Sequence, residues 1–80
     1  MQTTFRASFL RDVKHLRDAG VKKRIREVIA QVEAATRLEQ LHNLSKLAGV
    51  GDYRVGLFIE SGSVEFVRAL HRREIYRYFP

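Results

Sequence analysis

Hydrophobic and polar positions change their spacing once along this 80-residue chain, close to Gly49. Before that point apolar residues recur at helical intervals. Val21, Ile25, Val28, Ile29 and Val32 fall on one face of a helix, and Lys22, Lys23, Arg24, Arg26 and Glu27 occupy most of the rest of the cylinder. Ahead of them, Phe9, Leu10, Val13 and Leu16 predict a first helix from about Phe9 to Ala19, with Ser8 as its N-cap and Gly20 as the residue that ends it. A link this short makes the two helices an antiparallel pair. Thr3 to Ala7 reads as a short first strand. Thr36-Arg37-Leu38-Glu39 has the form of a capping box. Leu38, Leu41, Leu44 and Leu47 then repeat every third position, which suits the packed side of a helical turn, since a zipper would need a sustained heptad.

After Gly49 the pattern alternates. Tyr53, Val55, Leu57 and Ile59 interleave with Arg54, Gly56, Phe58 and Glu60, the period of a half-buried strand. Ser61-Gly62-Ser63 is a turn, and Val64 to Leu70 follows as a second strand, completing a hairpin. Val64, Phe66 and Leu70 are expected on one side of it and Val67 on the other. Arg72 and Arg73 read as a continuation of this strand, with side chains directed to opposite sides. The order strand, helix, helix, hairpin predicts one α+β domain over residues 1–80, an antiparallel two-helix pair packed on a small, mainly antiparallel sheet.

Composition narrows the setting. Hydrophobic residues make up 45% of the chain and charged residues 30%, which argues against disorder. A chain this short buries only about 60% of its unfolded surface, so its core is thin. No cysteine is present, which removes disulfides and thiolate zinc sites and fits a reducing compartment. No apolar run approaches the ~20 residues that span a bilayer, and the N-terminus lacks a secretory h-region. The expectation is a cytoplasmic protein without a membrane partner.

Charge adds the first functional direction. The formal net charge is +6, and 11 of the 15 cationic side chains are arginine. Such a surface attracts polyanions, and the planar guanidinium fork favours phosphate among them.

Several chemistries find no support. His15, His42 and His71 lack metal-ligand spacing. Gly49-Val50-Gly51 precedes a strand, unlike a phosphate-binding loop. Carboxylates are few and scattered, so paired-acid hydrolysis is excluded, and no cofactor is implied. A cationic and aromatic group remains: Arg54 on one strand, then His71, Arg72, Arg73, Tyr76, Arg77 and Tyr78. Arginine holds phosphate and aromatic rings stack on splayed bases, so the group suits RNA. It also suits metal-free cleavage, in which the ribose 2′-OH attacks the adjacent phosphorus. Histidine or tyrosine moves the protons and arginine holds the developing charge.

These residues carry a family resemblance. Gly51-Asp52-Tyr53-Arg54-Val55, Phe66-Val67-Arg68 and His71-Arg72-Arg73-Glu74-Ile75-Tyr76 resemble the RelE branch of the RelE/ParE toxins, and Phe9-Leu10-Arg11-Asp12-Val13 and Leu44-Ser45-Lys46-Leu47 fit as well. The resemblance implies the toxin of a type II toxin–antitoxin pair, an endoribonuclease that cuts mRNA in the ribosomal A site without metal and is blocked by an antitoxin wrapped around it. It implies a phosphate-holding role for Arg54, a second such role for Arg72 or Arg73, a part in the chemistry for Tyr76, and a basic position at His71. Lys46, Arg68 and Arg77 are the expected RNA-binding cations.

The chain departs from this family at one place. Relatives carry an additional segment between Gly49 and Val50 that forms another strand and brings basic residues to the site. The sequence therefore predicts a sheet with one strand missing. That prediction keeps a second reading in view, a non-catalytic relative that is either a gyrase-directed toxin of the ParE kind or a degenerate toxin that only binds its antitoxin.

Overall fold

The computed structural model describes residues 1–36 and 47–78. Strand β1 (Gln2–Phe5) leads into helix α1 (Ala7–His15) and helix α2 (Ala19–Ala34). Strands β2 (Leu47–Val50), β3 (Tyr53–Glu60) and β4 (Ser63–His71) follow, and a single helical turn, α3 (Arg72–Ile75), comes last. The strands form one sheet in the order β1-β4-β3-β2. β1 runs parallel to β4, and the other two pairs are antiparallel. The α+β class and the mainly antiparallel sheet are as the sequence predicts.

The expected missing strand is a correction. β2 is made by Leu47–Val50 itself and passes through Gly49 and Val50 without a break, pairing Gly49 with Arg54 and Val50 with Tyr53. Four residues are too few for alternation to stand out, and Leu47 had been absorbed into the leucine repeat. The strand is short all the same. It pairs only with Tyr53–Gly56, the first half of β3. Two-residue turns close both hairpins, with Gly51 at φ 61° and Gly62 at φ 78°, a region that L side chains enter only at a cost.

The helix boundaries also move. Ser8 lies inside α1, and Arg6 holds the N-cap position without a side-chain cap. Gly20 belongs to the first turn of α2, whose cap is Asp18: its Oδ1 accepts from the amides of Gly20 at 2.8 Å and Val21 at 3.2 Å. A side-chain acceptor satisfying two free N–H groups outweighs the glycine signal. The capping box at Thr36–Glu39, the repeat from Leu38 to Leu44 and the candidate Lys46 lie wholly or partly outside the described residues.

Helix and sheet meet over Phe9, Leu16, Ile25, Val32, Val55, Leu57, Val64, Phe66 and Ala69, all buried in one cluster. Phe9 and Phe66 set its centre, tilted against each other at 5.3 Å, and the exposed Phe5 stacks on Phe66 at 5.1 Å from the rim. Leu70, expected on the side of Val64 and Phe66, is displaced from it. Leu57 pairs with Phe66 but Gly56 pairs with Arg68, so Val67 is an extra residue in β4. This bulge reverses the alternation. Ala69 enters the core opposite Val55, and Leu70 pairs with Arg54 on the outer face.

α1 completes the edge of β4. β1 covers β4 only as far as Phe66. Beyond it, the amide of Arg6 donates to the Phe66 carbonyl at 2.9 Å, Ser8 Oγ donates to the Val67 carbonyl at 2.6 Å, and the Asp12 carboxylate accepts from the Ala69 amide at 3.0 Å. Asp12 also takes Arg68 in a two-pronged pair, Nε to Oδ2 at 2.7 Å and Nη2 to Oδ1 at 3.0 Å. That hydrogen bond raises Arg68 above the ordinary arginine value, against the smaller opposing effect of burial. Removing the carboxylate leaves a partly buried guanidinium and a strand amide without their acceptor. Asp12→Ala is expected to cost about 3 kcal/mol, read as a lowered midpoint in urea unfolding with an unchanged slope.

Candidate active site

The first residues of β3 and the last of β4 lie side by side, because the hairpin pairs Tyr53 with His71 and Arg54 with Leu70. The Gly51-Asp52 turn is tied to the chain end as well. The amide of Arg72 donates to the Asp52 carbonyl at 2.8 Å, and Arg72 Nε stands 3.9 Å from Asp52 Oδ1. Two separate stretches of sequence, 52–54 and 71–73, thus form one end of the sheet.

Arg72 and Arg73 are not on a strand, which corrects the sequence reading. β4 stops at His71, whose extended backbone and side chain cap α3: its Nδ1 accepts from the Arg73 amide at 3.1 Å. In the helical turn the two arginines stand about 100° apart around the axis instead of on opposite faces. Histidine is not a standard helix-start signal, and one turn leaves no apolar period to detect, so the sequence carried little sign of α3. Ile75, fully buried yet outside the helix-side cluster, seats this turn against β3 and β4. The turn continues through Arg77 and Tyr78, whose amides donate to the carbonyls of Glu74 and Ile75. Tyr76 and Arg77 are exposed.

An acceptor at Nδ1 defines the tautomer of a neutral His71, with its proton on Nε2. The ring stands edge-on to Tyr53 at 5.7 Å. A cavity of about 180 Å³ opens beside this pair, and Asp12, His15 and Glu74 also line it. Among the described residues, no three His, Asp or Glu side chains are grouped to hold a metal ion. No helix of the structure is long and apolar enough to cross a membrane.

The remaining candidates separate by their partners. Arg54 turns back over its own hairpin, Nη1 donating to the Gly51 carbonyl at 2.6 Å and to the Tyr53 carbonyl at 2.8 Å. Among the described residues no carboxylate pairs with it, so there an incoming phosphate competes with main-chain carbonyls. Arg68 differs: its charge is matched by Asp12, and its guanidinium carbon lies 4.5 Å from the centre of the Tyr78 ring. The backbone therefore brings Arg54, His71, Arg72 and Arg73 to the hairpin end, with Arg54 on the outer face beside Leu70 and His71 on the opposite face beside Tyr53 and α1; Tyr76 and Arg77 follow on the adjoining turn, and Arg68 stands apart in an ion pair. Tyr53 and Asp52 belong to this neighbourhood too. The sequence pointed to them only as members of the Gly51–Val55 motif, with no role of their own.

The capping role of His71 can be measured directly. His71→Ala removes the cap and is expected to lower stability by about 1 kcal/mol, while His71→Asn, which restores a capping acceptor, recovers most of it. Thermal melts of the three proteins check this.

No protein-family model matches the chain. It is 33% identical over 89 residues to Toxin RelE3 of Methanocaldococcus jannaschii, with all of both chains covered. That span is longer than the 80 residues here, so positions of the relative have no counterpart in this chain. The fold is similar to one in the crystal structure of the RelB-RelE antitoxin-toxin complex from Methanococcus jannaschii, with a TM-score of 0.72, 28% identity, and 96% of this chain and 99% of that one covered. Identity at a third of positions along the whole length, on the same arrangement of helices and sheet, shows that the chain belongs to the RelE toxin family.

Proposed function

We propose that this protein is the toxin of a type II toxin–antitoxin pair, a single RelE-like domain that cleaves mRNA on the ribosome without a metal ion. The observation that supports this best is the gathering of Arg54, His71, Arg72 and Arg73 at one end of the sheet, with the exposed Tyr76 on the next turn. Cleavage of RNA needs no nucleophile from the protein, because the 2′-OH supplies it. It needs a proton acceptor for that hydroxyl, positive charge around the phosphorane and a proton for the departing 5′-oxygen. In this proposal Arg54 and one of the α3 arginines hold the phosphorane oxygens. His71, as the imidazolium, gives its Nε2 proton to the departing 5′-oxygen and returns to the neutral form in which Nδ1 accepts from the Arg73 amide. Tyr76 takes part as base or orients the reacting ribose. Arg77 and Lys46 extend the contact along the RNA backbone.

The cytoplasm is the proposed location, with the ribosome and mRNA as targets and an antitoxin as the protein partner. The similar archaeal fold is found in a complex with its antitoxin, which supports a partner of that kind here.

The shortness of β2 favours a second reading. A strand that pairs with only half of β3, in a chain shorter than the span it shares with its relative, suits a degenerate toxin that keeps antitoxin binding and loses cleavage.

Primer extension on mRNA from cells expressing the chain separates the two. The nuclease gives cuts within codons, and Arg54→Ala or Tyr76→Phe lowers cleavage by about 100-fold or more, the usual effect of losing one transition-state partner, with the melting temperature little changed. Intact mRNA at full expression of folded protein decides for the binder, and intact mRNA with damaged DNA for a gyrase-directed toxin.

A further inference from the structure

A second concavity lies on the outer face of the sheet, about 330 Å³ in volume and lined by Arg6, Ser8, Phe58, Val67, Arg68 and Tyr78. Its aromatic walls are unusual for a chain with a thin core. Phe58 is 53% exposed and Tyr78 54% exposed, although both are large enough to serve the interior. The sheet register explains Phe58: it pairs with Glu65 on the face away from the helices, so no rotamer returns it to the core. Tyr78 is brought to the same cavity by the turn that follows α3, and Arg68 stacks against its ring at 4.5 Å.

The two arginines here are already neutralised. Arg68 is paired with Asp12, and Arg6 Nη2 donates to Glu65 Oε1 at 2.7 Å. The cavity therefore offers flat, apolar ring faces and a guanidinium plane held by a carboxylate, with little free charge. That suits the π-face of a base better than a phosphate. A volume of this order admits one base, and the bulged residue Val67 is part of its lining. Continuity with the candidate active site comes through the chain itself, since Tyr78 is two residues beyond Tyr76.

From these observations we infer that the Phe58–Tyr78 cavity is a stacking subsite for one unpaired RNA base, lying beyond the nucleotides held at the hairpin end. The inference rests on the RNA reading proposed above. Arg68 acts in it as a positioning residue: Asp12 holds the guanidinium, and the guanidinium holds the Tyr78 ring at the cavity wall.

The test is binding of a fluorescent single-stranded RNA hexamer to the full chain, repeated with one abasic nucleotide placed at each position in turn. Phe58→Leu and Tyr78→Leu are expected to weaken binding by about tenfold each, in the lower part of the range for one lost stack, and Phe58→Trp to restore it. An abasic nucleotide at one position should weaken wild-type binding by a similar factor and leave the Phe58→Leu protein unaffected. Asp12→Asn, which keeps shape and loses charge, should reproduce part of the Tyr78→Leu loss. Unchanged affinity in folded Phe58→Leu and Tyr78→Leu overturns the subsite, as does an absence of measurable binding by the wild-type chain. Loss of binding to a purified cognate antitoxin in these variants, with RNA affinity retained, overturns it in favour of a protein-docking surface. The subsite and the nuclease fail separately. Cleavage lost with Arg54→Ala while Phe58→Leu binds RNA normally removes only the subsite. Stacking with no cleavage by the wild-type chain removes only the nuclease.

Discussion

Strand β4 changes partner halfway along its length, and most of the molecule follows from how its second half is satisfied. β1 ends at Phe5, so the backbone of β4 beyond Phe66 would face the helix layer with unpaired donors and acceptors. A buried amide without a partner costs as much as several good contacts contribute. α1 solves this with side chains instead of a strand. Ser8 takes the Val67 carbonyl and Asp12 takes the Ala69 amide. These residues lie at neighbouring turns of one helix, so the helix axis must follow the strand.

The change of partner coincides with the bulge at Val67, and together they set the faces of the sheet. Before the bulge Phe66 closes the aromatic centre of the core, and after it Ala69 continues that layer while Leu70 turns outward beside Arg54. A small residue is needed at Ala69, where Leu16 and Val55 already fill the layer. The extra residue also places Arg68 where Asp12 can hold it. The same device that re-aims the core thus carries the ion pair linking α1 to the chain end through the Tyr78 ring.

Charge on this protein divides into committed and available groups. Arg68 and Arg6 face carboxylates, the first partly buried and the second exposed, where such a pair contributes at most about 1 kcal/mol. Arg54 is held by carbonyls alone, and Arg72 and Arg73 stand exposed on the cap turn with Asp52 at the limit of ion-pair distance. The net charge of +6 therefore acts on a polyanion through groups outside the Asp12–Arg68 pair, those at the hairpin end together with the lysines and arginines of α1 and α2. A RelE-family toxin built this way keeps the charges that hold its scaffold apart from those left available at the hairpin end.

Local spacing alone was enough for the α+β class, the two helices and β3, whose limits Tyr53 and Glu60 were legible in its alternation. It was enough as well to bring Arg54 near the His71–Tyr76 segment, because a tight hairpin sets its two strands side by side, although the bulge moves the pairing at Arg54 by one residue. Features whose cause lies elsewhere in the chain escaped it. β2 exists because β3 offers an edge, the reversal at Leu70 because a bulge inserts Val67, and the α3 turn because Ile75 finds its place only once β3 and β4 are formed. Arg68 reads as one more cation in sequence. Only the fold, by bringing Asp12 across 56 residues to meet it, decides that its charge is spent inside the structure. Periodicity reports what a residue's neighbours along the chain require, whereas pairing of edges, ions and caps is settled by residues that meet only in three dimensions.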